Sequence, residues 1–115
     1  MGGKGNDTIT SIFDPSLGIA AFTNNYMDGG PGNDSLPGAI GNDTLLGQAG
    51  DDTLHRGDGK DSLVGGPGKD QLFGENGIDT LGNDGEKDIL NGGNGTNSAK
   101  SDAGLDVLTS IEHIP

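Results

Sequence analysis

The sequence contains no cysteine and no tryptophan, and only one tyrosine and three phenylalanines among its 115 residues. Without cysteine the chain can form neither a disulfide framework nor a thiolate metal site. No apolar run approaches the roughly 20 residues that a membrane-spanning helix requires, so we expect no membrane span.

Basic residues are also scarce. Six lysines and arginines stand against 18 aspartates and glutamates, which gives a formal net charge of −12 at pH 7. We expect no nucleic-acid partner, because binding the phosphates of nucleic acid requires a basic surface.

Glycine is abundant, with 24 residues, and most of them follow a nine-residue period. The segment 65–72, GGPGKDQL, has glycine at positions one, two and four, aspartate at position six and leucine at position eight. Nine such units run in one register over 29–109, and a further copy occupies 1–10. The eighth positions are Leu36, Leu45, Leu54, Leu63, Leu72, Leu81, Leu90, Ala99 and Leu108. A fixed phase of this kind indicates a repeat protein, in which neighbouring units bury one another's apolar residues.

Each unit divides into a turn and a short strand. Glycines in the first six residues allow positive φ and close backbone approach. The last three residues alternate outward, inward and outward, with the apolar residue inside. A strand of three residues is not stable alone, so the pattern predicts parallel stacking of strands about 4.8 Å apart.

These units resemble the RTX (repeat-in-toxin, hemolysin-type) calcium-binding nonapeptide repeats. The resemblance implies an all-β fold, namely a parallel β-roll, or right-handed β-solenoid, with two nonapeptides in each coil and a turn on each edge. It also implies several bound Ca²⁺ ions, each held between two turns of the same edge by position-six carboxylates and turn carbonyls. Calcium takes six to eight oxygen ligands, and two stacked glycine-rich turns offer oxygens of both kinds.

Carried onto this chain, the resemblance assigns ligand positions to two edges. One edge carries Asp34, Asp52, Asp70, Asp88 and Asp106, and the other carries Asp43, Asp61, Asp79 and Asn97. The turn glycines assigned to the sites are Gly30, Gly32, Gly41, Gly50, Gly57, Gly59, Gly66, Gly68 and Gly77. Four gaps on the first edge and three on the second predict about seven ions. Asp7, in the copy at 1–10, is a further candidate ligand.

Several segments depart from the pattern. Residues 11–28 match the repeat poorly, and we interpret them either as a degraded coil or as an insert that caps the end of the solenoid. Residues 110–115 are expected to form a C-terminal cap. Asn97 is neutral and should weaken its site, whereas Arg56 replaces a position-one glycine, which raises the question of backbone strain.

No metalloprotease, nucleophile-elbow or phosphate-loop motif is present, and we expect no enzymatic activity. The leading hypothesis is a calcium-binding module of a secreted bacterial-type protein that folds on calcium binding after export. The resemblance links such export to type I secretion and such proteins to the extracellular space. The alternatives are a calcium-rigidified structural or adhesive spacer of a larger extracellular protein, and an accessory domain of a secreted enzyme. In each case we expect the partners to be other domains of a longer parent protein.

A repeat begins by residue 2, so we expect no signal peptide.

Overall fold

Thirteen short β-strands and no helix form the part of the chain that the computed structural model describes, residues 3–5, 24–38, 40–100 and 107–111. The strands are β1 (Tyr26–Asp28), β2 (Ser35–Pro37), β3 (Thr44–Leu46), β4 (Thr53–His55), β5 (Asp58–Gly59), β6 (Ser62–Gly68), β7 (Gln71–Phe73), β8 (Asn76–Gly77), β9 (Thr80–Gly85), β10 (Ile89–Asn91), β11 (Asn94–Gly95), β12 (Ser98–Lys100) and β13 (Val107–Thr109).

The strands pair in parallel, so that each nonapeptide lies beside the second one after it. The first sheet has the order β2-β4-β7-β10-β13, and the second sheet has the order β1-β3-β6-β9-β12. A third, smaller sheet, β5-β8-β11, lies within the turns. Two nonapeptides therefore make one coil of a solenoid, and the predicted all-β parallel β-roll is confirmed.

The hydrophobic core is one column of side chains between the two main sheets. Each is the second residue of its strand, at the inward position that the alternating pattern predicts. The buried members are Met27, Leu36, Leu45, Leu54, Leu63, Leu72, Leu81, Leu90 and Ala99, and the leucines among them are 0% exposed. Leu108 and Ile111 pack against this column and are partly buried.

Two different constraints explain the glycines of the turns. At position four, Gly68 has a φ of +140°, and a Cβ there would collide with the carbonyl oxygen of Gly50 in the neighbouring coil. Position two also takes positive φ, yet it holds Gln48 and Glu75 as well as glycine. At Gly68, glycine is therefore required both for the backbone conformation and for the close approach of two backbones.

Part of the segment 11–28 lies on the solenoid. Tyr26–Asp28 forms β1, which pairs with β3, and Met27 enters the core opposite Leu45. Residues 11–23 lie outside the described residues, so the choice between a degraded coil and a capping insert for them stays a prediction. The backbone N–H of Gly5 donates to the carbonyl of Pro31, which places the described part of the copy at 1–10 against the turn of 29–34.

Within the described ranges, no helix is long and apolar enough to cross a bilayer.

Truncation of one core leucine should destabilise the fold, whereas truncation of its outward neighbour should not. Leu72 is 0% exposed and pairs with Leu54 and Leu90, while Gln71 is exposed on the outer face. We expect Leu72→Ala to lower the free energy of unfolding by about 2–5 kcal/mol. Gln71→Ala should change it by less than about 0.5 kcal/mol. Denaturant unfolding in saturating calcium measures both, and equal losses would show that the inward and outward positions are assigned wrongly.

Candidate metal centre

The turns of the solenoid form two stacks, one along each edge. The first edge comprises the turns that end at Asp34, Asp52, Asp70 and Asp88, and these turns lead into the strands of the first sheet. The second edge comprises the turns that end at Asn25, Asp43, Asp61, Asp79 and Asn97, and these lead into the second sheet. The structure thus places the predicted position-six residues in the two predicted rows, with Asn25 added to the second. Asp7 and Asp106 lie outside the described residues.

From Asp43 to Asn97, one oxygen of each position-six side chain accepts a hydrogen bond from the preceding coil. On the first edge, the backbone N–H of Asp34 donates to Asp52 Oδ1 over 2.8 Å, and that of Asp52 donates to Asp70 Oδ1 over 2.8 Å. The N–H of Asp70 donates to Asp88 Oδ1 over 2.6 Å. The same bond recurs on the second edge from Asn25 to Asp43, Asp43 to Asp61, Asp61 to Asp79 and Asp79 to Asn97. The position-six side chain therefore continues the hydrogen-bonded ladder of the sheet into the turn.

The second oxygen of several of these side chains is buried without a donor. Oδ2 of Asp52, Asp61, Asp70 and Asp79 accepts no hydrogen bond from the residues that the structure describes. These residues are between 1% and 3% exposed. A buried carboxylate oxygen is costly unless a donor or a cation compensates its charge. The oxygens of Asp52, Asp70 and Asp79 therefore point to a missing positive partner, whereas the Asp61 carboxylate has the Arg56 guanidinium beside it.

Position-one glycines and carbonyl oxygens enclose the place where these oxygens lie. A Cβ built on Gly74 would lie 2.7 Å from Asp79 Oδ2 and 2.6 Å from the carbonyl oxygen of Gly92 in the next coil. A Cβ on Gly47 would collide with Asp52 Oδ2 and would lie 2.7 Å from the carbonyl oxygen of Gly65 in the next coil. We call this space a turn chamber. It is bounded by the position-one glycine of a turn, by Oδ2 of the position-six aspartate of the same turn, and by the carbonyl oxygen of the position-one residue of the next coil on that edge.

The donors of a turn chamber fit a hard cation. They are carboxylate and carbonyl oxygens from two levels, which is the ligand type that calcium selects. Among the described residues, no group of three or more histidine, cysteine, aspartate or glutamate side chains converges on one point. Backbone carbonyls would therefore supply a large share of the ligands of any bound ion, as they do in many calcium sites.

Burial also raises the affinity of these carboxylates for protons. Desolvation raises the pKa of Asp70 from an ordinary value of 3.8 to about 7, and the nearby carboxylates of Asp52 and Asp88 add to the shift. Desolvation likewise raises the pKa of Asp79 to about 6. The pKa values of Asp52 and Asp61 are raised for the same main reason. The fold thus holds negative charge in places where water does not stabilise it.

The chamber between Asp43 and Asp61 on the second edge differs from the others, because it contains the guanidinium group of Arg56. Arg56 Nη1 lies 2.9 Å from Asp43 Oδ2, and Arg56 Nη2 lies 2.5 Å from Asp61 Oδ1. All three side chains are 0% exposed. The place of a cation is already taken there, so the donors of this chamber do not fit a calcium ion.

The question of backbone strain at Arg56 is also answered. Among the described non-glycine residues, positive φ occurs at Gln48, Glu75 and Ser110, and Arg56 is not one of them. At position one, glycine serves to leave room for the Oδ2 oxygen and does not serve to provide a left-handed backbone.

Asn97 modifies the opposite end of the second edge. Its Oδ1 accepts the N–H of Asp79 over 3.0 Å, as an aspartate would. Its Nδ2 donates to the carbonyl of Gly92 over 2.8 Å. The neutral side chain thus keeps the ladder bond and adds a donor where an aspartate would add a charged oxygen.

Sequence reasoning missed two members of this arrangement. Asn25 belongs to the segment 11–28, which matches the repeat poorly, yet its backbone N–H and its Nδ2 both donate to Asp43 Oδ1, over 2.6 and 2.9 Å. Its place in the nine-residue phase was the signal that could have identified it. For Arg56 the sequence raises only the question of backbone strain, because a repeat pattern does not indicate the direction of a long side chain. The assigned turn glycines lie in the turns of the two edges, and the ligand role of all the assigned residues stays a prediction.

Protonation should stabilise the fold in the absence of metal. The pKa values of Asp79 and Asp70 are about 6 and about 7 in the folded chain, above the ordinary 3.8, so the folded chain binds more protons than the unfolded one. This contribution to stability is fully present below about pH 3.8 and is lost as the pH rises through about 6 and about 7. In excess chelator we expect a stronger β-strand signal in circular dichroism at about pH 5 than at about pH 8. A stronger signal at the higher pH would contradict the burial of these carboxylates.

Comparison with known proteins agrees with this geometry. The model of the family described as RTX calcium-binding nonapeptide repeat (4 copies) matches residues 1–11, 22–54 and 57–81, which together make up more than half of the chain. The break between the second and third matched segments falls at 55–56, where Arg56 lies. No curated protein and no solved structure gives a significant match. With its two stacks of turn chambers and this match, the chain belongs to the RTX calcium-binding nonapeptide repeat family.

Proposed function

We propose that this chain is a calcium-dependent folding module of a secreted protein, which becomes fully structured only where calcium is plentiful. The observation that carries the proposal is the set of buried Oδ2 oxygens of Asp52, Asp70 and Asp79, which accept no hydrogen bond from described residues. Membership of a calcium-binding repeat family supports the choice of calcium as the cation.

The residues that would hold an ion are those of the turn chambers. Between Asp52 and Asp70, they are Asp52 Oδ2 and the carbonyl of Gly65. Between Asp79 and Asn97, they are Asp79 Oδ2 and the carbonyl of Gly92. A bound calcium ion would supply two positive charges to a site from which water has been excluded. The Oδ1 oxygens remain engaged in the ladder, so metal binding would not compete with the bonds that join the coils.

Folding and metal binding should be coupled for an electrostatic reason. Within one edge, Asp52, Asp70 and Asp88 are stacked in successive coils and are all buried. Without a cation, folding brings these like charges together in a medium of low dielectric, which the raised pKa of Asp70 reflects. A ligand that binds only the folded state stabilises it by mass action, and the required oxygens are assembled only in the folded state.

The location that fits such a switch is the extracellular space, since cytosolic calcium is low and a chain awaiting export would remain unfolded. Proteins with RTX repeats are typically secreted, which supports export and the presence of further domains in a parent protein. We propose a binding and folding role with no catalysis, because the buried carboxylates that the structure describes belong to the ladder and the chambers.

The direct test is a calcium titration of the whole chain. Starting in excess chelator at about pH 8, we expect calcium to induce β-strand circular dichroism and compaction in small-angle scattering. Magnesium should replace calcium poorly, because it demands a small octahedral shell and loses water reluctantly. An unchanged β-strand signal over the whole titration, with no bound calcium, would refute the proposal.

Replacement of one chamber carboxylate should raise the calcium requirement. Asp70→Asn retains Oδ1, which accepts the N–H of Asp52, but it replaces the buried Oδ2. Contacts to charged groups are typically worth about 1.5–3 kcal/mol, and 1.4 kcal/mol corresponds to a tenfold change in affinity. We therefore expect the calcium midpoint to rise about tenfold or more.

The matched control is Asp58→Asn, which removes the same charge from an exposed turn position. Asp58 Oδ1 accepts a hydrogen bond from Asn76 Nδ2 over 2.8 Å, and an asparagine can keep this oxygen. The midpoint of Asp58→Asn should stay close to that of the unsubstituted chain. Similar shifts in the two variants would mean that total charge, and not the chamber, controls calcium binding.

A further inference from the structure

We propose that the guanidinium group of Arg56 is a resident cation that replaces one calcium ion between Asp43 and Asp61. This inference rests on the proposed calcium function and concerns the one described chamber in which a side chain already supplies the charge. It predicts that this chain binds one ion fewer than its count of stacked aspartates suggests, and that two of its coils are joined without metal.

The geometry places the guanidinium inside the chamber. Arg56 stands at position one of its turn, and its side chain reaches back to the preceding coil of the second edge. There Nη1 contacts Asp43 Oδ2 at 2.9 Å and lies at the spot where a Cβ on Gly38 would stand. In the chamber of Gly74, the equivalent spot lies between Asp79 Oδ2 and the carbonyl of Gly92.

The guanidinium also joins two levels, as an ion between turns would. Nη1 contacts Asp43 in one coil and Nη2 lies 2.5 Å from Asp61 in the next. Asp61 Oδ1 also accepts the backbone N–H of Asp43 over 2.8 Å. One buried group therefore neutralises part of the charge of two stacked carboxylates without leaving the chain.

Electrostatics make simultaneous occupancy by calcium unfavourable. A guanidinium is always charged in proteins, and like charges repel strongly where water is excluded. Arg56 itself is 0% exposed at its side chain, so calcium could enter only if the guanidinium left the chamber. Departure would break its contacts with Asp43 and Asp61 and open the turn.

Among the described turns, an arginine at position one occurs only at Arg56. At the other described turns, position one holds Gly29, Gly38, Gly47, Gly65, Gly74 and Gly92, and Asn83 in the unit 83–91. The family match is interrupted at 55–56, which marks the same place as a departure from the repeat pattern. Arg56 is also the only arginine in the sequence, which makes its guanidinium group separately observable.

The first experiment counts bound ions. Native mass spectrometry of the whole chain in saturating calcium would compare the unsubstituted chain with Arg56→Gly and with Lys60→Ala. Arg56→Gly restores the glycine of the other turns and should bind one additional calcium ion per chain. Lys60→Ala removes the same charge from an exposed residue of the same turn and should leave the count unchanged. Equal counts for the unsubstituted chain and Arg56→Gly, or a gain in both variants, would overturn the inference.

The second experiment uses the unsubstituted chain, so it decides the matter even if Arg56→Gly does not fold. In the calcium-saturated protein, the single arginine Nε–H signal in ¹⁵N NMR should exchange slowly with solvent, because the guanidinium stays buried. Rapid exchange would show that calcium displaces it and would overturn the inference. Failure of the proposed function would look different, because the unsubstituted chain would then bind no calcium at all.

Discussion

The buried aspartate at the sixth position of most described nonapeptides is the group on which the rest of the solenoid depends. Its Oδ1 accepts the backbone N–H of the preceding coil, as between Asp52 and Asp70 at 2.8 Å, and so continues the β-ladder through a turn. That bond fixes the carboxylate inside the turn, where its Oδ2 loses water. The same residue thus joins the coils and creates the charge that the fold must neutralise, because a buried ion without a partner is strongly destabilising.

The described part of the chain meets this demand in three ways. At Asp70, the buried Oδ2 oxygen fits a calcium ion. When metal is absent a proton can neutralise this carboxylate instead, as its pKa of about 7 indicates. Between Asp43 and Asp61 a guanidinium group lies in the chamber. At Asn97 the charge itself is removed, and an amide nitrogen donates to the carbonyl of Gly92. The first edge and the second edge therefore differ in their demand for metal, although their aspartates look alike in sequence.

The nine-residue period was sufficient to predict the short strands of the two main sheets, the leucine core and the two rows of position-six residues, but not the third sheet within the turns. Those features depend on phase alone, because a strand alternates its side chains and a repeat stacks on its equivalent. The path of the Arg56 side chain does not depend on phase. Arginine is rarely buried unless it is paired, and the pairing with Asp43 and Asp61 appears only when two coils are stacked. Met27 lies in the segment 11–28, which matches the repeat poorly in sequence. Its flexible thioether nevertheless fills the core position that leucine occupies in most of the other repeats.

The ladder of position-six side chains also has a direction. The N–H of Asp52 finds its acceptor on Asp70, which lies 18 residues later, whereas the exposed N–H of Lys69 finds its acceptor on Asp51, 18 residues earlier. Inside the turn, the position-six N–H of a coil therefore has no acceptor until the following coil has folded against it. For a chain that acquires structure progressively from its amino-terminal side, order would advance one coil behind the newest segment. At the leading end of such an array the buried position-six N–H groups lack an acceptor, whereas the opposite end leaves exposed N–H groups of the Lys69 kind without one, so the two ends of the solenoid are not interchangeable as surfaces for growth.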